Sequence, residues 1–179
     1  AANGLKAAGV KAGDRVMLVS ENRPEWLIAD LAIMSIGAIS VPAYTTNTAV
    51  NHLHIINDSG CQVVIVSTPQ LARPVISAAA EAERKLVLYV MDEPEKTMRS
   101  GTEVRAWSDL LADGANKASP PPDIIPIKRG DVCCLIYTSG TGGLPRGVML
   151  THGNILCNCM GALEVLRPLG VGDEVFLSF

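Results

Sequence analysis

The stretch that decides the fold is residues 132–148, VCCLIYTSGTGGLPRGV, in which an apolar run leads into a glycine-rich segment. Val132 to Tyr137 has the length and composition of a buried β-strand. Glycines between Thr138 and Gly147 leave the backbone free to turn N–H groups toward an anion, and small hydroxyls add donors. Arg146 supplies a cation that can bind phosphate through two hydrogen bonds. The stretch therefore predicts a polyphosphate-binding loop after a buried strand.

Two familiar nucleotide-binding motifs do not fit this spacing. A Walker A loop requires Gly-Lys followed by Ser or Thr, whereas here Arg146 precedes Gly147 and Val148 follows. A dinucleotide-binding fingerprint that starts at Gly140 would place its third glycine at a position held by Pro145. On the residues alone, a hairpin linker that binds no ligand is the other interpretation.

Apolar runs of strand length alternate with helical patterns upstream of this stretch. We predict strands at Arg15–Ser20, Ile39–Val41, Gln62–Ser67 and Leu86–Met91. The helices predicted between and after them are Pro24–Gly37, Val50–Asn57, Pro69–Arg84 and a short one at Val104–Leu111. This β-α-β-α-β-α-β order predicts an α/β fold with a mainly parallel sheet flanked by helices.

Charged and proline-rich residues interrupt the pattern and suggest three parts. We predict an α/β sub-domain over residues 1–118, a proline-rich connector over 119–130, and the truncated start of a next sub-domain over 131–179. In the last part, Val148–Leu150 predicts a short strand and Thr151 caps a helix that runs to Leu166. Val175–Phe179 predicts the start of another strand.

Composition excludes several classes of function. The chain has 179 residues, a formal net charge of −3 and 4% aromatic residues, so it offers neither a basic stripe nor a base-stacking surface for nucleic acid. The number of cysteines, five, is odd, and no two of them form a C-x-x-C motif. Both observations argue against disulfides and a metal site and favour a reducing compartment. The uncharged span Leu31–Asn57 is broken by Pro42 and by polar residues 45–48, which argues against a membrane helix.

Other polar residues have plainer interpretations. We interpret His52 and His54, in the helix predicted around them, as structural. His152 is interpreted as a solvated residue of a first helical turn, and Ser20–Trp26 as a loop with capping charges at a helix start.

Residues 137–153, YTSGTGGLPRGVMLTHG, resemble the phosphate-binding signature of the adenylate-forming superfamily, which includes acyl-CoA synthetases, luciferases and peptide-synthetase adenylation domains. The usual form is Y-T-S-G-T-T-G-x-P-K-G-V, from which this sequence departs at Gly142 and Arg146. Further segments are similar to long-chain fatty acyl-CoA ligases: Gly13–Val16, Ser20–Trp26, Gly37–Pro42 and Asn57–Gly60. The chain as a whole resembles an N-terminal fragment of such an AMP-binding enzyme.

The resemblance implies an acid–thiol ligase of fatty acid metabolism. Such a ligase joins a carboxylic acid to coenzyme A with ATP and Mg²⁺, through an acyl-AMP and with release of pyrophosphate. The implied ATP phosphate-binding residues are Thr138, Ser139, Gly140, Thr141, Gly142, Gly143 and Arg146.

The resemblance also places the adenine, ribose, magnesium and acyl segments beyond Phe179. We therefore expect no catalytic residue within the fragment and no activity from it alone. Its partners are expected to be small molecules (fatty acid, ATP and coenzyme A), not nucleic acid, in a cytoplasmic protein that is not integral to a membrane but can be peripheral to one. An unpaired apolar sheet edge predicts self-association. Two alternatives stay open: adenylation of an aromatic or amino acid, and a non-catalytic module that binds a nucleotide or a partner.

Overall fold

The computed structural model describes residues 1–95, 102–116, 125–138 and 144–167. The strands are β1 Arg15–Val19, β2 Ile39–Ala43, β3 Val63–Val66, β4 Val87–Val90, β5 Glu103–Ala106, β6 Val132–Thr138 and β7 Arg146–Thr151. The helices are α1 Ala2–Ala7, α2 Pro24–Ser35, α3 Ala49–Ser59, α4 Pro69–Glu81, α5 Trp107–Ala115 and α6 His152–Leu166.

Within the described residues the strands form one sheet, in the order β5-β4-β3-β1-β2-β6-β7. Every neighbouring pair is parallel except β6 and β7, which form an antiparallel hairpin. The predicted mainly parallel sheet flanked by helices is confirmed. Its central strands are apolar on both faces because helices cover both faces, as parallel sheets require.

Two apolar cores lie on the two faces of this sheet. One core joins β-strand side chains such as Met17 and Val64 to Ile55 of α3 and Val75 of α4. The other joins alternate strand residues such as Leu18 to side chains of α1, α2 and α5. The alternation of side chains along each strand sends successive residues into different cores, so the sheet is the shared wall of both.

The prediction of a helix over Val104–Leu111 is wrong at its start. Glu103–Ala106 forms the edge strand β5, paired in parallel with β4 from Val87 opposite Glu103 onward. The helix α5 begins only at Trp107, after the Ala106 N–H donates to Asp109 at 3.1 Å. A four-residue edge strand has little pattern of its own, and its pairing with β4 decides its conformation.

The hairpin β6–β7 is attached to the same sheet, with Ser40 of β2 opposite Cys134 of β6. Residues 119–124 of the predicted connector lie outside the described residues, as do residues 175–179, for which a strand was predicted. The division of the chain into sub-domains stays a prediction.

Helices α1 and α5 approach each other closely through two glycines. A Cβ added at Gly4 would lie 2.0 Å from the backbone oxygen of Leu110, and one added at Gly114 would lie 2.5 Å from the Gly4 nitrogen. The backbones therefore come together where no side chain stands between them.

Helices α2 and α6 expose large apolar side chains. Leu27, Ile28 and Leu31 of α2 are each more than half exposed. Helix α6 begins as predicted, with the Thr151 side chain accepting from the Asn154 N–H, yet none of its described residues is buried. Among the described residues, no helix is long and apolar enough to cross a membrane.

Candidate functional site

The glycine-rich segment connects β6 and β7 at the edge of the sheet where the parallel strands end. Thr138, the last residue of β6, lies opposite Arg146, the first residue of β7. Both are exposed, and they stand on either side of the connecting segment. Ligands of parallel α/β sheets bind at this carboxyl edge, so the hairpin is placed where a ligand crevice is expected.

Of the residues predicted to bind phosphate, the structure describes Thr138 and Arg146 and brings them together at the base of the segment. Ser139, Gly140, Thr141, Gly142 and Gly143 lie outside the described residues. Among the described residues, Arg146 has no carboxylate within ion-pair distance.

Two cavities adjoin the hairpin at the carboxyl edge. One of about 330 Å³ lies between the end of β2, helix α3 and the hairpin, and its walls include Tyr44, Asn51, Thr138 and Pro145. The other, of about 550 Å³, lies between the ends of β1, β2 and β6. A ligand bound at Thr138 and Arg146 would have room on the β2 side of the hairpin.

Helix α3 contacts the hairpin on both sides of the glycine-rich segment. The Nε2 of His54 lies 2.7 Å from the carbonyl oxygen of Pro145, and the Tyr137 hydroxyl donates to Oδ2 of Asp58 at 2.5 Å. The rings of His54 and Tyr137 meet edge to face, with centroids 6.1 Å apart. Burial, followed by the Asp58 carboxylate, raises the pKa of Tyr137, so its hydroxyl stays a donor at neutral pH.

Sequence reasoning missed the role of His54 in this contact. His54 and Asp58 are four residues apart on α3 and so share a face, which is a signal the sequence contains. What it does not contain is the partner: Pro145 is 91 residues from His54. His52, two residues earlier, is buried in the core and has no hydrogen-bond partner among the described residues.

A second polar cluster ties together the ends of β1, β3 and β4. Arg23, which precedes α2, pairs with Glu25 at 2.8 Å and with Asp92 at 3.1 Å. Its hydrogen bond to Glu25, with further support from Asp92, raises the pKa of Arg23. Ser67 donates to Glu21 at 2.5 Å. These pairs join side chains to each other at a helix start, in agreement with the structural interpretation of Ser20–Trp26.

The histidines, cysteines and carboxylates of the described residues are the remaining candidates for metal or disulfide chemistry. The described part of the chain contains no group of three or more His, Cys, Asp or Glu placed to hold a metal ion. All five cysteines are free, with Cys61, Cys133 and Cys134 buried and Cys157 and Cys159 exposed. His152 is half-buried, and its backbone N–H donates to the Asp131 carbonyl at 3.1 Å.

The fold and this edge define the class: a parallel α/β protein with a glycine-rich hairpin at the carboxyl end of its sheet. The sequence model described as AMP-binding enzyme matches residues 1–179. The chain belongs to the AMP-binding enzyme family.

Curated relatives are coenzyme A ligases. The chain is 34% identical over 165 residues to the peroxisomal long chain acyl-CoA synthetase 7 of Arabidopsis thaliana, covering 89% of this chain and 23% of that one. It is 38% identical over 162 residues to the feruloyl-CoA synthase of an Amycolatopsis species, covering 90% and 28%. The chain thus spans about a quarter of the length of these relatives.

A solved structure shares the fold. The apo form of MatB from Rhodopseudomonas palustris superimposes with a TM-score of 0.70 at 26% identity, over 93% of this chain and 30% of that one. The similarity therefore extends over nearly all of this chain and a part of the larger protein.

Proposed function

We propose that this chain is the front part of an ATP-dependent acyl-CoA synthetase and that its hairpin binds the phosphates of ATP. The observation that carries the proposal is the placement of Thr138 opposite Arg146 at the carboxyl edge, in a member of the AMP-binding family. Arg146 would offer two parallel N–H groups to phosphate oxygens, and the Thr138 hydroxyl a further donor. Ser139, Gly140, Thr141, Gly142 and Gly143 would complete the site with backbone N–H groups and hydroxyls.

The proposed reaction has two halves. A carboxylate oxygen of the acid attacks the α-phosphorus of ATP and pyrophosphate leaves, giving acyl-AMP. The sulfur of coenzyme A then attacks the acyl carbon, releasing AMP and a thioester. The residues of the hairpin act on the first half, because only there are the β- and γ-phosphates held and then released. Mg²⁺ would arrive bound to the phosphate oxygens of ATP.

A long-chain fatty acid is the proposed substrate, and an aromatic acid is the second candidate. The relative named for long-chain acyl groups supports the first, and the relative named for feruloyl groups, which is 38% identical, supports the second. Pyrophosphate exchange measured with palmitate and with ferulate separates the two: exchange with ferulate alone would replace the fatty acid by an aromatic substrate. ATP binding without exchange on any acid would favour the non-catalytic alternative.

We expect Arg146→Ala, in the full-length enzyme that carries this chain, to slow acid-dependent ATP–pyrophosphate exchange by about tenfold or more. The reason is the loss of a phosphate-binding cation, and tenfold corresponds to about 1.4 kcal/mol. Arg146→Lys keeps the charge and should stay near the wild type. Transfer from preformed acyl-AMP to coenzyme A should be nearly unchanged, since pyrophosphate has already left.

The matched control is Arg73→Ala, which removes an exposed arginine of helix α4 that pairs with Glu95. It should leave both half-reactions unchanged. An equal fall of both half-reactions in folded Arg146→Ala protein would contradict a phosphate-specific role.

We also propose that this chain associates with a second copy of itself. The exposed apolar side chains on α2 and α6 support this, because water-exposed surfaces of this kind favour association. Light scattering across a hundredfold range of concentration (about 1–100 μM) is expected to show a mass that rises with concentration. A constant monomer mass would contradict the proposal.

We propose a cytoplasmic localisation for the protein. The free cysteines support a reducing compartment, since exposed Cys157 and Cys159 would be open to oxidation elsewhere.

A further inference from the structure

Helix α3 is capped at both ends, packs into the core and lies beside the hairpin that we propose binds phosphate. Its first turn is closed by reciprocal bonds between Thr48 and Asn51, and it ends at Gly60 in the left-handed conformation, with φ of 66°. Ile55 and Ile56 anchor it in the core. Core packing therefore sets the position of α3 against the sheet.

His54 and Asp58 present their side chains from that helix one turn apart. The carbonyl oxygen of Pro145 can only accept, so Nε2 of His54 carries the proton and donates. The Asp58 carboxylate accepts from Tyr137. Tyr137 precedes the glycine-rich segment and Pro145 closes it. One helix turn thus holds both ends of the segment that we propose binds phosphate.

The two strands of the hairpin pack tightly at Tyr137, one of the residues that contact α3. Tyr137 is 5% exposed, and Gly147 lies opposite it in the antiparallel pair. A Cβ at position 147 would lie 3.0 Å from Cζ of the Tyr137 ring, so the two legs meet with no side chain between them. A shift of Tyr137 or Pro145 would move Thr138 and Arg146, which are their immediate neighbours in the chain.

We propose that His54 and Asp58 are positioning residues for the ATP phosphates, acting through Pro145 and Tyr137 on the two ends of the segment. The proposal rests on the proposed function and goes further, because it assigns to α3 the geometry of a phosphate site that lies on the hairpin. Neither residue touches the phosphate itself. Displacement of binding groups by even about 1 Å is enough to weaken a transition-state complex.

The test uses the full-length enzyme and the ATP dependence of acid-dependent pyrophosphate exchange. His54→Leu and Tyr137→Phe are each expected to raise the KM for ATP about fivefold, the range expected from the loss of one hydrogen bond. His54→Gln, whose amide nitrogen can still donate to Pro145, should recover most of the wild-type KM. Thioester formation from preformed acyl-AMP should change less than twofold in all three.

The matched control for Tyr137→Phe is Tyr89→Phe. Tyr89 is also a buried tyrosine, its hydroxyl 3.4 Å from Arg105, but it lies in β4 away from the hairpin. Loss of its hydroxyl should leave the KM for ATP unchanged. Tyr137→Phe removes a single oxygen and keeps the ring, so it tests the proposal even where His54→Leu does not fold.

Two outcomes of the exchange assay would overturn the proposal. An unchanged KM in folded His54→Leu and Tyr137→Phe proteins would remove the positioning role, and an equal fall of both half-reactions would replace it by a general structural one. A wild-type enzyme without exchange on any acid would instead reject the proposed function. Calorimetry with inorganic pyrophosphate then decides: weaker binding by only these variants supports positioning, and equal or absent binding rejects it.

Discussion

Acidification from pH 7.5 to 5 is expected to lower the free energy of unfolding of this chain by roughly 2 kcal/mol through His52 alone. His52 is 1% exposed, and burial lowers its pKa from 6.5 to about 4. Between these values the unfolded chain binds a proton that the folded chain does not. The contribution of neutral His52 to the free energy of unfolding is therefore fully present above pH 6.5 and is lost as the pH falls toward 4. The whole contribution is roughly 3 kcal/mol.

The variant that isolates this effect is His52→Leu. Because neither ring nitrogen has a partner within the described residues, leucine removes a desolvation cost at neutral pH and the titration at acid pH. Urea unfolding at pH 7.5, 6 and 5 should show a flatter pH dependence than the wild type. Ile55→Val, at another buried position of α3, should cost about 1 kcal/mol at every pH and keep the slope. A wild-type slope in His52→Leu would assign the pH dependence to other groups.

Gly4→Ala is expected to destabilise the chain by about 2–3 kcal/mol. The new Cβ would lie 2.0 Å from the Leu110 backbone oxygen, so α1 and α5 must separate. This separation loosens the packing of the core side chains Leu5 and Leu110. The gain in helix propensity, about 1 kcal/mol, offsets only part of this loss. The measurement is the urea midpoint of unfolding at constant m value.

Gly161→Ala is the matched control, because Gly161 also lies inside a helix but has no atom within 4 Å of an added Cβ. It should stabilise α6 by up to about 1 kcal/mol. If Gly4→Ala behaves like Gly161→Ala, the close approach of α1 and α5 does not exist in solution.

Much of the fold could be predicted from the sequence because several strands are continuous apolar runs. Residues 16–19 of β1 and Val63–Val66 of β3 are buried on both faces of the sheet, so an uninterrupted apolar run marks them without any periodicity. The edge strand Glu103–Ala106 is half-exposed and short, and only its pairing with β4 makes it a strand. Local pattern fails where one neighbour in space decides the conformation.

In the candidate site, too, residues close in sequence could be predicted to lie together and distant ones could not. Thr138 and Arg146 are close in sequence and belong to a motif, so both could be predicted, and the hairpin brings them opposite each other. Asp58 and Tyr137 are 79 residues apart, and no local pattern could join them. Whether Thr138, Arg146 and the residues between them bind phosphate stays a prediction, as does the acid that the enzyme activates.

The long separation between helix α3 and the hairpin also orders the folding of the chain. Strands β1 to β4 and their helices are joined by short connections, whereas the hairpin reaches β2 and α3 only after a loop of some 90 residues has closed. Contacts between residues so far apart in sequence form slowly, because closing the loop costs conformational entropy before these contacts can stabilise the chain. During synthesis the amino-terminal strands emerge first and can pair before Tyr137 has been added. We therefore expect the turn of α3 that contacts the hairpin to form before the hairpin is made, so that the glycine-rich hairpin docks onto a preformed surface.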